Sequence, residues 1–366
     1  MGRIRPNIAA RIRGCLLGGA VGDALGAPIE FMTLDAIRAR YGPSGLEEFD
    51  LAYGRIGAIT DDTQMTLFTA EGLVRAKVRQ ASKGICHPPS VVHAAYLRWY
   101  ATQRSKTVMS IEEFQKQRAP DGWLVTHREL WSRRGPGNTC LAALSRADTL
   151  GTVAENDSKG CGAIMRVAPV GLLYPSATAD GASNPAFDIG KEVSACTHGN
   201  PTGYLAGAVF AQIIASIVEG HTLLAAIDAA RATLRAHAHS SEVSRAIDGS
   251  LQLASKIAEP SIGDLEVLGG GWTGEEALAI ALYVALVAKS FEHGVRLAVN
   301  HSGDSDSTGS LVGALLGTIH GDDVIPIRWI ASLELREVID EIACDLAAVR
   351  SASFDCEANE AKYPGW

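Results

Sequence analysis

Helical periodicity recurs at 187–197, 201–219, 222–237, 241–257 and 275–290, and almost no stretch alternates as a half-buried strand would. Helical patterns therefore dominate this part of the chain. Residues 8–26 carry small and apolar residues at helical spacing, with glycines that would let another element approach closely, and Pro28 ends the run. A further helix is predicted from Pro88-Pro89-Ser90, with Val91, Val92, Ala95, Tyr96, Trp99 and Tyr100 on one core-facing side. Ser110-Ile111-Glu112-Glu113 and Thr273-x-x-Glu276 fit capping boxes, and Asn138 or Thr139 is placed to cap a helix over 141–146. Residues 333–349 read as one more amphipathic helix, the final residues as a frayed tail, and 175–185 as an exposed loop.

Two helix starts share one grammar. Asn300-His301-Ser302-Gly303-Asp304-Ser305-Asp306-Ser307-Thr308-Gly309 precedes the apolar run 310–317, and Ile59-Thr60-Asp61-Asp62-Thr63 opens another. Unpaired N–H groups and the positive dipole end tolerate acids at such places, so solvated capping aspartates are the ordinary reading. Two such starts invite a joint explanation. If Asp61, Asp62, Asp304 and Asp306 converged at ~4 Å, six repulsions of ~4 kcal/mol each would exceed a typical domain's stability. Divalent cations would remove that penalty, with the hydroxyls of Thr60 and Ser307 as further ligands and open positions left for water and substrate. Glu30, flanked by Ile29 and Phe31, is either a surface acid at a helix end or an enclosed one with a raised pKa.

Glycine-rich loops before helix starts offer phosphate cradles at Gly135-Pro136-Gly137-Asn138-Thr139 and at Ser158-Lys159-Gly160-Cys161-Gly162, the latter with Lys159 and Arg166 available for anions. His198 lies at a helix junction, where a hydrogen-bonded core residue is the commoner outcome. Trp272, after Gly269-Gly270-Gly271, could stack on a base or plug the core.

A net charge of -8 and a pI near 5.7 argue against a nucleic-acid-coating protein. Seven scattered cysteines without a C-x-x-C point to reduced thiols in a cytoplasmic setting, with neither disulfide nor zinc expected. The arginines near the N-terminus superficially resemble a signal peptide, but Asp23 and Glu30 interrupt it. Residues 201–218 carry no charge, yet Gln212, Ser216 and two glycines favour a buried central helix over a membrane span. An EF-hand fails because its twelfth position, counted from Asp304, is Leu315. The Asp304-x-Asp306-x-Thr308 spacing resembles the nucleophile motif of haloacid-dehalogenase-type phosphatases, which would require a strand there and an α/β core after it.

Taken in order, Gly14-Cys15-Leu16-Leu17-Gly18, Gly22-Asp23, Glu30, Thr60-Asp61-Asp62-Thr63, the 135–139 loop, Gly160-Cys161-Gly162-Ala163-x-Met165-Arg166, Thr197-His198, Gly269-Gly270-Gly271 and Gly303-Asp304-Ser305-Asp306-Ser307 resemble the ADP-ribosylglycohydrolase family, which includes the dinitrogen-reductase-activating glycohydrolases. The resemblance spans roughly residues 10–320. It implies an all-α, orthogonally packed single domain over 1–366 with a core of about 10–350, and a centre of two magnesium ions for which manganese can substitute. Carried over, Thr60, Asp61, Asp62, Asp304, Asp306 and Ser307 are the metal-contacting positions. Glu30, Asp62 and Asp304 carry the catalysis. Gly135, Gly137, Asn138, Ser158, Lys159, Gly160, Gly162, His198 and Gly271 line the ADP-ribose. Two departures stand out: Ser307 stands where threonine is usual, which keeps the hydroxyl, and Lys159 and Cys161 stand where aromatic or asparagine residues are common, which bears on substrate preference. The implied activity is release of ADP-ribose from modified protein side chains, N- or O-linked and foremost arginine, with neither nucleic acid nor membrane as partner. The alternative is a non-catalytic ADP-ribose binder, or an immunity-type protein that blocks an ADP-ribosyltransferase toxin.

Overall fold

The computed structural model describes residues 6–104, 121–257 and 259–365. Helices dominate, and the only strands among the described residues are two-residue pieces, Leu51–Ala52 and Arg55–Ile56, paired in a small hairpin. The all-α expectation holds.

Two helices that are buried on nearly every side form the axis of the fold. Ile8–Gly26 is capped by the Asn7 side chain, and Ser305–His320 runs antiparallel to it. Their contact is backbone against backbone. Gly14 faces Gly317, Gly18 faces Gly313, Gly22 faces Gly309 and Gly26 faces Ser305, each pair one turn further along. A methyl carbon at Gly22 would lie 1.9 Å from the Gly309 carbonyl oxygen, so no larger residue fits. The close approach predicted for residues 8–26 is thus real, and its partner is the helix that follows the second aspartate motif.

That antiparallel pairing sets the C-terminal end of the first helix, with Asp23 and then Glu30, beside the start of the other, with Asp304 and Asp306. A third helix, Asp61–Lys83, begins at the same place because Asp23 accepts hydrogen bonds from the Thr60 and Thr63 amides and the Thr63 hydroxyl. Behind it pack Pro88–Arg104 and Arg336–Arg350. Val91, Val92, Ala95, Tyr96 and Trp99 are buried as predicted, and Tyr100 is half-buried. On the far side Pro201–Val218, 89% buried, is the central helix, surrounded by Ala168–Leu173, Pro185–Ala195, Leu223–Arg235 and Gly274–Val287. One contiguous hydrophobic core links all of these.

Several local expectations are corrected. Gly137, not Asn138 or Thr139, caps the short helix, which runs Asn138–Ser145 and makes no side-chain cap bond. Thr273 stands at the cap of Gly274–Val287, but its buried hydroxyl makes no capping bond. Among the described residues the C-terminal segment is not frayed: Tyr363 is fully buried and bonded to Asp345, and Lys362 pairs with Glu341 and Asp345. Helix formation there starts at Arg336 rather than at residue 333, after Leu335 in a left-handed conformation. Asp304 and Asp306 sit at the cap and in the first turn of a helix, which removes the strand that a haloacid-dehalogenase-type nucleophile needs. The capping box at 110–113 lies outside the described residues.

Candidate active site

Three helix ends deliver the acids. Asp304 is the cap residue of Ser305–His320, its amide donating to the Gly270 carbonyl at 2.8 Å, and Asp306 follows in the first turn. Asp61 and Asp62 occupy the first turn of Asp61–Lys83, where the Thr60 side chain accepts from the Asp62 amide. The Asp61 amide donates to the Arg134 carbonyl at 3.0 Å. Arg134 in turn pairs with buried Glu334, which accepts from the Ile59 amide, so the approach to Thr60 is pinned from both sides.

All four aspartates are at most 5% exposed, and carboxylate oxygens of Glu30, Asp304 and Asp306 lie within 4.8 Å of one another. Burial raises the Asp62 carboxyl well above the usual range, and Asp23, Asp61 and Asp304 add repulsion. Asp306 is raised likewise, by burial and then by Glu30, Asp62 and Asp304. Burial, Asp304 and Asp61 push Glu30 up to about 8, and burial with Asp23 pushes Asp61 to about 7. Asp62 Oδ2 is buried without a hydrogen-bond partner. Like-charged, all-oxygen donors with an orphaned oxygen among them form a set suited to hard divalent cations.

The loops close around this cluster to different degrees. A methyl carbon at Gly135 (φ +73°) would lie 3.0 Å from the Tyr53 hydroxyl, 3.5 Å from Glu30 and 3.7 Å from Asp61, and the Gly137 amide bonds Asp61. Gly271, at φ +76°, abuts Thr308 and Asp304. Gly160 and Gly162 instead pack on the His198 ring. Asn138 and Ser158 line a neighbouring cavity of about 680 Å³ that holds none of the acids.

The sequence profile of the ADP-ribosylglycohydrolase family matches residues 4–355. The chain belongs to the ADP-ribosylglycohydrolase family. It is 27% identical over 342 residues to the ADP-ribosyl-[dinitrogen reductase] glycohydrolase of Rhodospirillum rubrum, covering 90% of this chain and 92% of that one. It is 22% identical over 344 residues to the ADP-ribosylarginine hydrolase Tri1 of Serratia proteamaculans (strain 568), covering 91% and 78%. Among solved structures, an ADP-ribosylglycohydrolase-related protein complex superimposes with a TM-score of 0.63 at 25% identity, covering 95% of this chain and 99% of that one.

Within this glycohydrolase, two bases expected to receive anions are already engaged. Lys159 pairs with Glu275 at 2.6 Å and Glu242 at 3.2 Å, beside a separate cavity. Arg166 is fully buried, donates to the Gly162 carbonyl and the Thr197 hydroxyl, and stacks over Tyr96. His198 is the buried, hydrogen-bonded histidine of the commoner reading, its Nδ1 2.8 Å from the Thr197 hydroxyl. Burial lowers its pKa to about 3, so it stays neutral.

Sequence reasoning assigned no site role to four groups. Asp23, fully buried, organises the Thr60–Thr63 turn; its signal was a single charge inside the otherwise uncharged stretch 14–29. Tyr53, on the hairpin, reaches Gly135 with no sequence signal. Phe31, at φ +67°, stacks on Trp272 at 5.2 Å, joining the residue after Glu30 to the loop before Gly274–Val287. Trp272, 41% exposed, therefore does not plug the core. The Cys161 sulfur lies 2.7 Å from Asp304 Oδ2.

Proposed function

We propose that this ADP-ribosylglycohydrolase is a divalent-cation-dependent enzyme that cleaves the bond between ADP-ribose and a modified protein side chain, foremost arginine. The observation that carries the reading is the buried cluster of Asp61, Asp62, Asp304 and Asp306 with Glu30 beside it, in which Asp62 and Asp306 are raised by burial and by the neighbouring acids. Thr60, Asp61, Asp62, Asp304, Asp306 and Ser307 would hold two magnesium ions, or manganese in their place. When bound, these ions supply Lewis acidity toward the ribose diol and the attacking water.

The remaining chemistry belongs to the chain. Glu30, half-buried between the cluster and the Phe31–Trp272 pair, is placed to move a proton at the scissile bond. The carboxylates around it stabilise the oxocarbenium character that develops at the anomeric carbon as the bond to the side chain breaks. Water supplies the hydroxyl of free ADP-ribose, and its second proton goes to the released side chain. Gly135 and Gly137 leave exposed backbone to the sugar and phosphates, buried Gly271 lies against Asp304, and Gly160, Gly162 and His198 shape the wall behind them. Asn138 and Ser158 face the adjoining cavity, where the substrate's distal portion has room. Similarity to an ADP-ribosylarginine hydrolase supports the arginine linkage. A steric toxin blocker or simple ADP-ribose binder has no use for four buried aspartates, which favours catalysis. We read the chain as a single domain acting in the cytoplasm, supported by its one core and seven free thiols.

The test is release of ADP-ribose from arginine- and serine-linked substrates, with magnesium and with chelator, for the parent and for Asp304→Ala. Expected is chelator-sensitive release from the arginine substrate, lost together with magnesium binding in Asp304→Ala. Release that survives both treatments rejects the assignment.

A further inference from the structure

Cys161 stands where an all-oxygen cation centre has no need of sulfur. It begins the short turn Cys161–Ala163, with its amide fixed at 3.0 Å to the Trp272 carbonyl, and its sulfur lies 2.7 Å from Asp304 Oδ2. The Ser307 hydroxyl adjoins both this thiol and the Asp62 carboxyl. Asp62 is itself only 2% exposed, and its Oδ2 has no partner. The sulfur donor thus touches Asp304, and Ser307 links it to the carboxyl whose buried Oδ2 is orphaned.

We propose that Cys161 is a sulfur ligand of the cation centre, beside Asp304, and that it tilts the centre's preference from magnesium toward thiophilic divalent ions. The inference rests on the reading of the acids as a cation centre. Thiolate is a soft donor that favours ions such as cadmium and zinc, whereas magnesium favours oxygen. On ligation the metal–sulfur bond forms as the S–H bond breaks, and the proton passes to water. Cys161 also lies in the loop assigned to the substrate, so the identity of the ion and the shape of the sugar site are set by one segment.

The experiment titrates the metal-stripped full-length protein with cadmium and with magnesium, for the parent and for Cys161→Ser, whose hydroxyl keeps a donor in place. Expected is an ultraviolet thiolate-to-cadmium charge-transfer band in the parent that Cys161→Ser loses, with magnesium affinity by calorimetry retained. The cadmium-over-magnesium preference should fall by on the order of 10- to 100-fold, the range produced by altering a metal's surroundings. Circular dichroism establishes that the variant is folded, and Cys161→Asn replaces it if it is not. An equal band in parent and variant, or an unchanged preference, overturns the proposal. A parent that binds no magnesium yet shows the Cys161-dependent band removes the magnesium reading and leaves the sulfur ligand standing.

Discussion

Asp23 shows how one side chain can position a site from beneath it. Its carboxylate takes three donors from the Thr60–Thr63 turn, all buried. Asp23→Ala leaves those donors without partners, at about 1–3 kcal/mol for each buried group so stranded. Thermal denaturation should show a drop of several degrees, and calorimetry a loss of cation affinity; an unchanged melting temperature contradicts the anchoring role. The buried histidines make a separate prediction. Burial lowers His198 to about 3 and His93 to about 4, against about 6.5 in the unfolded chain. Both are depressed, so their share of stability is fully present above pH ~6.5 and is lost as pH falls toward the folded values. Between pH 6.5 and 5 each accounts for a loss of about 1.6 kcal/mol, the slope rising toward about 1.4 kcal/mol per pH unit below the unfolded pKa. Denaturant unfolding of His198→Asn at the two pH values should show a correspondingly shallower decline than the parent; parallel declines refute it.

The paired helices Ile8–Gly26 and Ser305–His320 offer an internal control, because two glycines three residues apart differ in what they face. A methyl at Gly22 meets a carbonyl oxygen at 1.9 Å, whereas at Gly19 the nearest atom is 3.4 Å away. Gly22→Ala should therefore force the helices apart, destabilise by about 1–3 kcal/mol or more, and weaken cation binding. Gly19→Ala should be neutral or stabilising, by up to about 1 kcal/mol from helix propensity. Equal melting temperatures for the two variants would sink the account. Much of this was legible in the sequence. Helix starts announced the aspartates, since threonine and acids at first turns have a local cause, and the glycine spacing announced a close approach. The identity of the approaching helix was not legible, because main-chain contact leaves no complementary side-chain pattern. Nor were the fates of Lys159 and Arg166: Glu242 and Glu275 lie 83 and 116 residues beyond Lys159, and nothing local marks them as its partners.

At the level of the whole molecule, the acid cluster is a source of instability placed where three helices join. An ion that binds the folded chain alone should relieve it, contributing about 2.7 kcal/mol at a hundredfold excess over its dissociation constant. Calorimetric scans should show the melting temperature rising with magnesium and falling on chelation for the parent, with no response in Asp62→Ala; a parent indifferent to magnesium speaks against a cation centre. The glycine contact adds a consequence of its own. Where carbonyl rests on Cα, no rotamer can absorb a shift, so the opposed donor groups keep their separation unless two whole rods slide past each other. Such a jaw has a fixed gape, and it would sort ions by radius before their chemistry is consulted.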